Sequence, residues 1–336
     1  MTTVEELIPR ICKQEFLLPA SRSRESFVLG IDEAGRGPVL GPMVYGAAWC
    51  PETYEQSLRQ KFGVNDSKQL TEGSRDSILC SMLASSEADA PRSICCAVRV
   101  LSPAYLSAEM LAPDRMSLNE VSFRAAFGLL RTALDAGIPV AKVFVDTVGD
   151  PDKYREKFER EFLSNPEIKF VVSKKADSLF PIVGAASIVA KVVRDGIVHD
   201  WPFMEPVEGA ADVSNVGSGY PGDPATKSWL QKVGQPLFGF PSIVRFSWQT
   251  TKTLLDTKAF LPVNWGDEDE FVSSVWEEDD SAETDARSSK RKKTTNTKDP
   301  AQPTLSFIKS LKDPKDASQV LKDFGVSAYA VEAPEC

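Results

Sequence analysis

The chain has 336 residues, of which 42% are hydrophobic, a formal net charge of −9 and a single histidine, His199. This length and composition allow one large or two modest domains with a buried core. No apolar run reaches the ~18 residues of a membrane-spanning helix, so no membrane partner is expected. With one histidine, His-based triads and multi-histidine metal sites are disfavoured, and acid–base or metal chemistry has to rest on carboxylates.

The negative charge is concentrated in one stretch near the C-terminus. Residues 267–285 contain ten acidic and no basic side chains. The rest of the chain is near neutral, which leaves a basic groove for nucleic acid open. The six cysteines include no Cys-x-x-Cys pair, and this spacing argues against a zinc site and a disulfide scaffold. The first ten residues lack the basic-then-apolar pattern of a secretory signal.

Periodicity and turn residues predict the following elements in chain order. Strands are predicted over 27–31, 43–50, 94–101, 140–145 and 168–172. Helices are predicted over 72–84, 118–136, 184–199, 226–233 and 244–255, with Ser117 as N-cap of the second and Glu120 as its capping-box partner. Strands first, then alternating strand and helix, predict a mixed α/β sheet with helices packed on it.

Residues 27–42 are the most informative stretch. A short apolar run ends in two carboxylates, Asp32 and Glu33, and is followed by Gly35, Arg36 and Gly37. A P-loop is excluded because no lysine follows Gly41, and a dinucleotide fingerprint is excluded because prolines interrupt the helix that it requires. What remains is a carboxylate pair beside a loop whose glycines allow close approach of a ligand.

Two further strands are followed by carboxylates, Asp146 and Asp177. Oxygen ligands suit Mg²⁺ or Mn²⁺, and four carboxylates can hold two such ions about 3.5–4 Å apart for displacement at phosphorus. Adjacent strand residues point to opposite faces, so Asp32 and Glu33 cannot both face one metal in a regular strand. Either the backbone bends there or one of the two coordinates directly.

The order of these motifs resembles the ribonuclease HII family (type 2 ribonucleases H), and its eukaryotic catalytic subunit in particular. The resemblance covers roughly residues 27–255 and is carried by Asp32-Glu33-Ala-Gly-Arg-Gly37, Asp66-Ser-Lys68, Val145-Asp146, Lys175-Ala-Asp177, Ala185 to Lys191, and Gly217-Ser-Gly-Tyr220-Pro. It implies a ribonuclease H-like sheet with helices on it, a C-terminal helical extension and a partly disordered tail. It also implies that Asp32, Glu33, Asp146 and Asp177 bind two divalent ions.

The implied reaction is hydrolysis of the RNA strand of RNA–DNA hybrids and incision 5′ of single ribonucleotides embedded in duplex DNA. Discrimination then depends on the 2′-hydroxyl group. The backbone of Gly35, Arg36 and Gly37 is suited to reading that group, and by resemblance Tyr220 senses it as well. Candidate phosphate contacts are Ser67, Lys68, Lys174, Lys175 and Lys191.

The resemblance also implies a heterotrimer with two accessory subunits, and roles in ribonucleotide excision repair and RNA primer removal. We expect a lead-in over 1–26, a catalytic domain with its helical extension over 27–260, an acidic then basic disordered linker over 261–303, and a docking segment over 304–336. Lys290 to Lys293 is typical of a nuclear-localisation signal or a solvated linker. Residues 302–308 weakly resemble a sliding-clamp motif.

Two other functions stay open on the residues alone. A related two-metal nuclease of DNA junctions would share the carboxylates but would have no need of the glycine loop and Tyr220. A non-catalytic nucleic-acid-binding module would tolerate replacement of the carboxylates.

Overall fold

The computed structural model describes residues 3–16, 25–64, 70–83, 94–147, 149–201, 203, 216–234 and 239–258. All of them belong to a compact unit, Met1–Asn264, and a second unit comprises Trp265–Cys336. The described residues contain a five-stranded mixed sheet in the order β3-β2-β1-β4-β5. Its strands are β1 Phe27–Ala34, β2 Met43–Pro51, β3 Cys95–Leu101, β4 Val140–Asp146 and β5 Lys169–Ser173. β2 runs antiparallel to β1 and β3, whereas β1, β4 and β5 are parallel.

Ten α-helices are found among the described residues. They are α1 Val4–Cys12, α2 Ser57–Phe62, α3 Glu72–Leu83, α4 Pro103–Leu111, α5 Leu118–Asp135, α6 Pro151–Glu161, α7 Ala176–Leu179, α8 Pro181–His199, α9 Pro224–Val233 and α10 Gln249–Lys258. None of the described helices is long and apolar enough to cross a membrane.

Each face of the sheet has its own hydrophobic core. Alternation along β1 sends Val28 to the face that packs on α8, α1 and α3, and Leu29 and Ile31 to the face that packs on α5 and α6. α8 lies close to the sheet because Gly46 of β2 has no side chain. A Cβ at this position would stand 2.6 Å from the carbonyl oxygen of Ala186. Close backbone approach therefore fixes the height of α8 above the strands that carry the site.

The predicted fold class is confirmed, and so are the five strands, each within three residues of its predicted bounds. Ser117 caps α5, since its Oγ accepts from the N–H of Glu120 at 3.2 Å, but the carboxylate of Glu120 accepts from Lys157 instead of closing a capping box. The helix predicted over 244–255 is wrong at its start, because Val244 forms a bridge to Leu40 and α10 begins at Gln249. A tertiary contact therefore shifts the start of the last predicted helix.

Three further differences and gaps concern the rest of the chain. Helix α1 lies within the region that was expected to be a lead-in, and α4 and α6 had not been predicted. The five described cysteines are free thiols. The predictions for Ser67, Lys68, the 261–303 linker, Lys290 to Lys293, residues 302–308 and the 304–336 segment lie outside the described residues.

Candidate active site

Three of the predicted carboxylates lie at one edge of the sheet, where the parallel strands β1 and β4 end. Asp32 and Glu33 belong to the last residues of β1, and Asp146 ends β4. The register pairs Ile31 with Val145, which sets Asp32 level with Asp146, on strands about 4.8 Å apart. A cavity of about 350 Å³ is lined by all three carboxylates.

Asp32 is the buried member of the set, with 6% of its surface exposed. Burial, followed by the charge of Glu33, raises the pKa of Asp32 well above its usual value, and Asp146 adds to this effect. Hydrogen bonds from Ser187 and from the N–H of Glu33, at 2.8 Å, act in the opposite direction. A cation bound beside Asp32 would favour its ionised form, because opposite charge offsets the cost of burial.

Glu33 stands on the opposite face of β1. The strand stays regular through the pairs of Glu33 with Tyr45 and of Ala34 with Val44. The expected bend between the two carboxylates therefore does not occur, and the backbone turns afterwards. Glu33 also lines a second cavity of about 360 Å³ with Tyr45 and Tyr154. Burial and then the charge of Glu33 raise the pKa of both phenols.

Asp177 occupies a different position from the other three carboxylates. It is 3% exposed at the start of α7, and its Oδ1 accepts from the N–H of Ser178 at 3.0 Å. The preceding N–H, that of Ala176, donates to Oδ1 of Asp146 at 2.8 Å and so ties α7 to β4. Asp177 does not line the cavity.

The donor set suits a divalent cation in its chemistry. Its oxygens are all from carboxylates, which Mg²⁺ and Mn²⁺ prefer, and no cationic side chain of the described residues compensates the buried Asp32. Within the same residues, however, no three His, Cys, Asp or Glu side chains stand together as a ready metal-binding group. The carboxylates therefore fit a divalent ion, but a closed coordination shell is not assembled.

The glycine loop, Gly35 to Gly37, is held from behind by its carbonyl groups. The guanidinium of Arg245 donates to the carbonyl oxygens of Gly35 at 2.6 Å and Arg36 at 3.3 Å, and Nε1 of Trp248 donates to that of Gly37 at 3.1 Å. The N–H groups of the same three residues make no hydrogen bond within the described chain. Gly35 has φ +79°, a conformation that suits glycine. The loop can thus offer its N–H groups to a ligand.

Arg245 is fully buried and was missed by the sequence analysis. Its Nε donates to the carbonyl of Gly41 at 2.8 Å, and its guanidinium lies 4.6 Å from the ring centroid of Trp248. Burial, with the cation of Arg194 nearby, lowers the pKa of Arg245 to about 9, so it is charged at neutral pH. One signal was available: an arginine within the apolar run Ile-Val-Arg-Phe needs partners if it is buried.

The side chain of Arg36 has a structural partner on α5. It donates to Oγ of Ser122 at 2.5 Å and to Oδ1 of Asn119 at 2.6 Å. Arg36 therefore joins the glycine loop to the first turns of α5, and it borders both cavities.

A basic wall faces the carboxylates across the first cavity. It consists of Lys191, which was predicted, and of Arg75 and Arg194, which were not. Asp195 bridges the two arginines, at 3.2 Å from Nη2 of Arg75 and 3.3 Å from Nη1 of Arg194. Arg194 also donates to the carbonyl of Leu40 at 3.4 Å. This bridge connects α3 and α8 to the segment that follows the glycine loop.

Tyr220 also lines this cavity and is half-exposed. Its ring lies against Gly37, where a Cβ would stand 3.0 Å from Cε1 of the tyrosine. Asp223 fixes the turn that carries it, because it accepts from the N–H and Oγ of Ser218 at 2.6 and 2.7 Å. These bonds lower the pKa of Asp223 to about 2. Lys175, with φ 58°, is exposed before α7 and does not line the cavity.

Comparisons with known proteins agree with this arrangement. The family model described as Ribonuclease HII matches residues 29–251. A subunit of the ribonuclease H2 of Arabidopsis thaliana is 51% identical over 245 residues, which are 72% of this chain and 78% of that protein.

Two solved structures share the fold. The ribonuclease H2 of Pyrococcus horikoshii OT3 has 32% identity and a TM-score of 0.55, covering 69% of this chain and 98% of that one. The ribonuclease HII of Archaeoglobus fulgidus, solved as a PCNA complex, has 28% identity and a TM-score of 0.53, covering 68% and 96%. The chain therefore belongs to the ribonuclease HII family of ribonucleases H, which are endonucleases.

Proposed function

We propose that this protein cleaves the RNA strand of RNA–DNA hybrids and incises duplex DNA 5′ of single embedded ribonucleotides. The observation that carries the proposal is the contiguity of two functions on one strand and its turn. Asp32 and Glu33 are followed directly by Gly35 to Gly37, whose carbonyls are held back and whose N–H groups are unused within the described chain. Carboxylates for chemistry and donors for sugar recognition thus share one cavity.

Asp32, Glu33, Asp146 and Asp177 are the proposed catalytic set. Two divalent ions, Mg²⁺ or Mn²⁺, would supply an activated water and stabilise the leaving oxygen. Asp32 and Asp146, level on neighbouring strands, would hold the first of these ions from the sheet. Glu33 would orient a ligand from the other face, and Asp177 would join after a local rearrangement of α7.

The glycine loop would read the 2′-hydroxyl, since backbone N–H groups can reach a sugar where no Cβ intervenes. Tyr220 would pack on the neighbouring sugar from the opposite wall. Lys191, together with Arg75 and Arg194, would attract the phosphates. Ser67, Lys68 and Lys175 remain proposed phosphate contacts.

We also propose the wider setting implied by the family. The chain would be the catalytic member of a heterotrimer with two accessory subunits, and would act in ribonucleotide excision repair and RNA primer removal in the nucleus. The Archaeoglobus relative was solved in complex with PCNA, which supports a sliding clamp as a further partner. Deleting residues 300–336 should release the accessory subunits from a co-purified complex, and an intact complex would refute that docking role.

The test of the activity uses end-labelled duplex DNA with one ribonucleotide and Mg²⁺. The full chain, with any co-purifying subunits, is compared with Asp32→Asn, and an all-DNA duplex is the control. We expect a cut immediately 5′ of the ribonucleotide, absent in the variant and in the control, while hybrid binding by Asp32→Asn is largely retained.

The other outcomes separate the alternatives. A cut in the all-DNA duplex would favour a junction nuclease. No cut by an intact complex would favour a non-catalytic binding module.

Tyr220→Ala tests sugar recognition, with Tyr54→Ala, a tyrosine outside the cavity, as the matched control. Cleavage of single-ribonucleotide substrates should fall more than cleavage of continuous hybrids. An equal loss on both substrates would contradict the role of Tyr220 as a sensor of the hydroxyl.

A further inference from the structure

Two arginines lie outside the cavity of the carboxylates, on the outer side of α5. Arg99 of β3 and Arg124 of α5 line a groove of about 610 Å³ along the helix. Neither makes a hydrogen bond or an ion pair with another described residue. Both influence the titration of the nearby Tyr105, so their charges are close to each other.

Acidic side chains of the same groove are already engaged. Glu120 accepts from Lys157 at 3.4 Å, and Glu161 pairs with Arg131. Two uncompensated guanidinium groups therefore remain at one end of the groove. Paired guanidiniums are the group that best matches a phosphate, through parallel N–H donors.

Gly128 provides an independent observation. It lies in the interior of α5, where glycine is less favourable than every ordinary residue except proline. A Cβ at this position would stand 2.5 Å from Cζ and 2.7 Å from Nε of Arg99. The missing side chain lets the guanidinium lie against the helix backbone, one turn from Arg124. The helix accommodates an arginine that has no partner within the described chain, which points to a partner outside it.

The position of Arg99 relates this groove to the reaction. Glu33 pairs with Tyr45, and Tyr45 pairs with Arg99, so the three side chains form one row on one face of the sheet. Two strand spacings place Arg99 about 10 Å from Glu33. At a rise of about 3.4 Å per nucleotide along one strand, this distance corresponds to about three nucleotides.

We propose that Arg99 and Arg124 together bind one backbone phosphate of the substrate duplex, about three nucleotides from the scissile bond. The proposal rests on the proposed function, because it assigns a second contact to the same substrate. Gly128 holds Arg99 in place for this contact.

The first test measures binding of the full-length chain to a hybrid duplex of about 20 base pairs by fluorescence anisotropy, in EDTA and over a salt series. Arg99→Gln and Arg124→Gln should each lower the slope of log K against log salt by about 1, the value for one lost phosphate contact. The double variant should lower it no further, because both side chains bind the same phosphate. Arg155→Gln, which removes an exposed arginine of α6, should leave the slope unchanged.

The second test locates the phosphate. Single neutral methylphosphonate linkages are placed along both strands around the ribonucleotide. At one linkage, wild type should weaken to the level of Arg99→Gln, and the variant should be insensitive to it. Gly128→Ala should displace the guanidinium and lower the salt slope, with a Tm equal to or above that of wild type. This combination distinguishes lost positioning of Arg99 from lost folding.

Unchanged salt slopes, or no linkage at which wild type and variant converge, would overturn the proposal. Loss of a co-purifying protein from the variants with unchanged slopes would also overturn it and assign the groove to a protein partner. Failure of wild type to cut a single-ribonucleotide duplex, with the salt-slope effects present, would refute the proposed reaction and leave the phosphate site standing.

Discussion

Replacing Arg245 by methionine should separate the support of the glycine loop from the carboxylates themselves. The change removes three donors from the buried carbonyls of Gly35, Arg36 and Gly41. A buried acceptor left without a donor costs about 1–3 kcal/mol. Methionine also ends the cost of burying a cation, so we take the lower bound for each carbonyl, which gives a loss of about 3 kcal/mol.

This loss leaves the protein folded but should be visible. For a domain of this size, about 3 kcal/mol corresponds to a Tm lower by about 6–12 °C. The activity should fall further than the stability suggests, because released carbonyls let the N–H groups of the loop move away from the sugar. A displacement of about 1 Å costs about 100-fold in rate, so kcat/KM on a single-ribonucleotide duplex should fall by about that factor.

Arg245→Lys and Arg155→Met are the comparisons for this experiment. Lysine keeps the charge but loses the planar fork, so its kcat/KM should lie between those of wild type and Arg245→Met. Arg155 makes exposed ion pairs with Asp152 and Glu159, and such pairs contribute about 0.3–0.5 kcal/mol. Arg155→Met should therefore match wild type in both measurements. If Arg245→Met lowers the Tm and keeps its kcat/KM, the reasoning about held carbonyls is wrong.

Two further predictions concern the walls of the cavity. Asp195→Asn should lower kcat/KM by unpairing Arg75 and Arg194, and the double variant with Arg75→Gln should be no worse than the single one; additive losses in this double-mutant cycle would show that the bridge does not act as a unit. In EDTA, the stability of wild type relative to Asp32→Asn should fall as pH rises from about 3.9 towards the raised pKa of Asp32, because the folded state binds more protons in this window. Mg²⁺ should restore more Tm to wild type than to the variant at the upper end of the window, and equal Tm gains would argue against a cation beside Asp32.

Local patterns predicted the strands and the position of the first carboxylates. An apolar run that ends in Asp32 and Glu33 carries its own information, because strand alternation and the turn that follows are local properties. The same alternation predicted that the two carboxylates point to opposite faces. The register of β1 and β4, which sets Asp32 beside Asp146, follows once the strands are parallel neighbours.

The supports of the site could not be predicted in this way. Arg245 contacts residues about two hundred positions away in the chain, and no periodic pattern records such a contact. The helix expected from residue 244 fails for the same reason, since the N–H of Arg245 donates to the carbonyl of Val39 at 2.9 Å. Pairing with the segment that follows the glycine loop overrides the helical preference of these residues.

The charge of the site illustrates why the net charge of the chain says little about its ligand. Two arginines from different elements, Arg194 and the buried Arg245, hold carbonyls of residues 35–41, and the cation of Arg194 disfavours the charge of Arg245. This repulsion is a cost to the free protein. An anionic backbone that approaches the N–H groups of Gly35 to Gly37 would lessen it, because its negative charge would attract both cations. A chain of net charge −9 can therefore present a positive loop to nucleic acid, since the potential depends on where the charges lie.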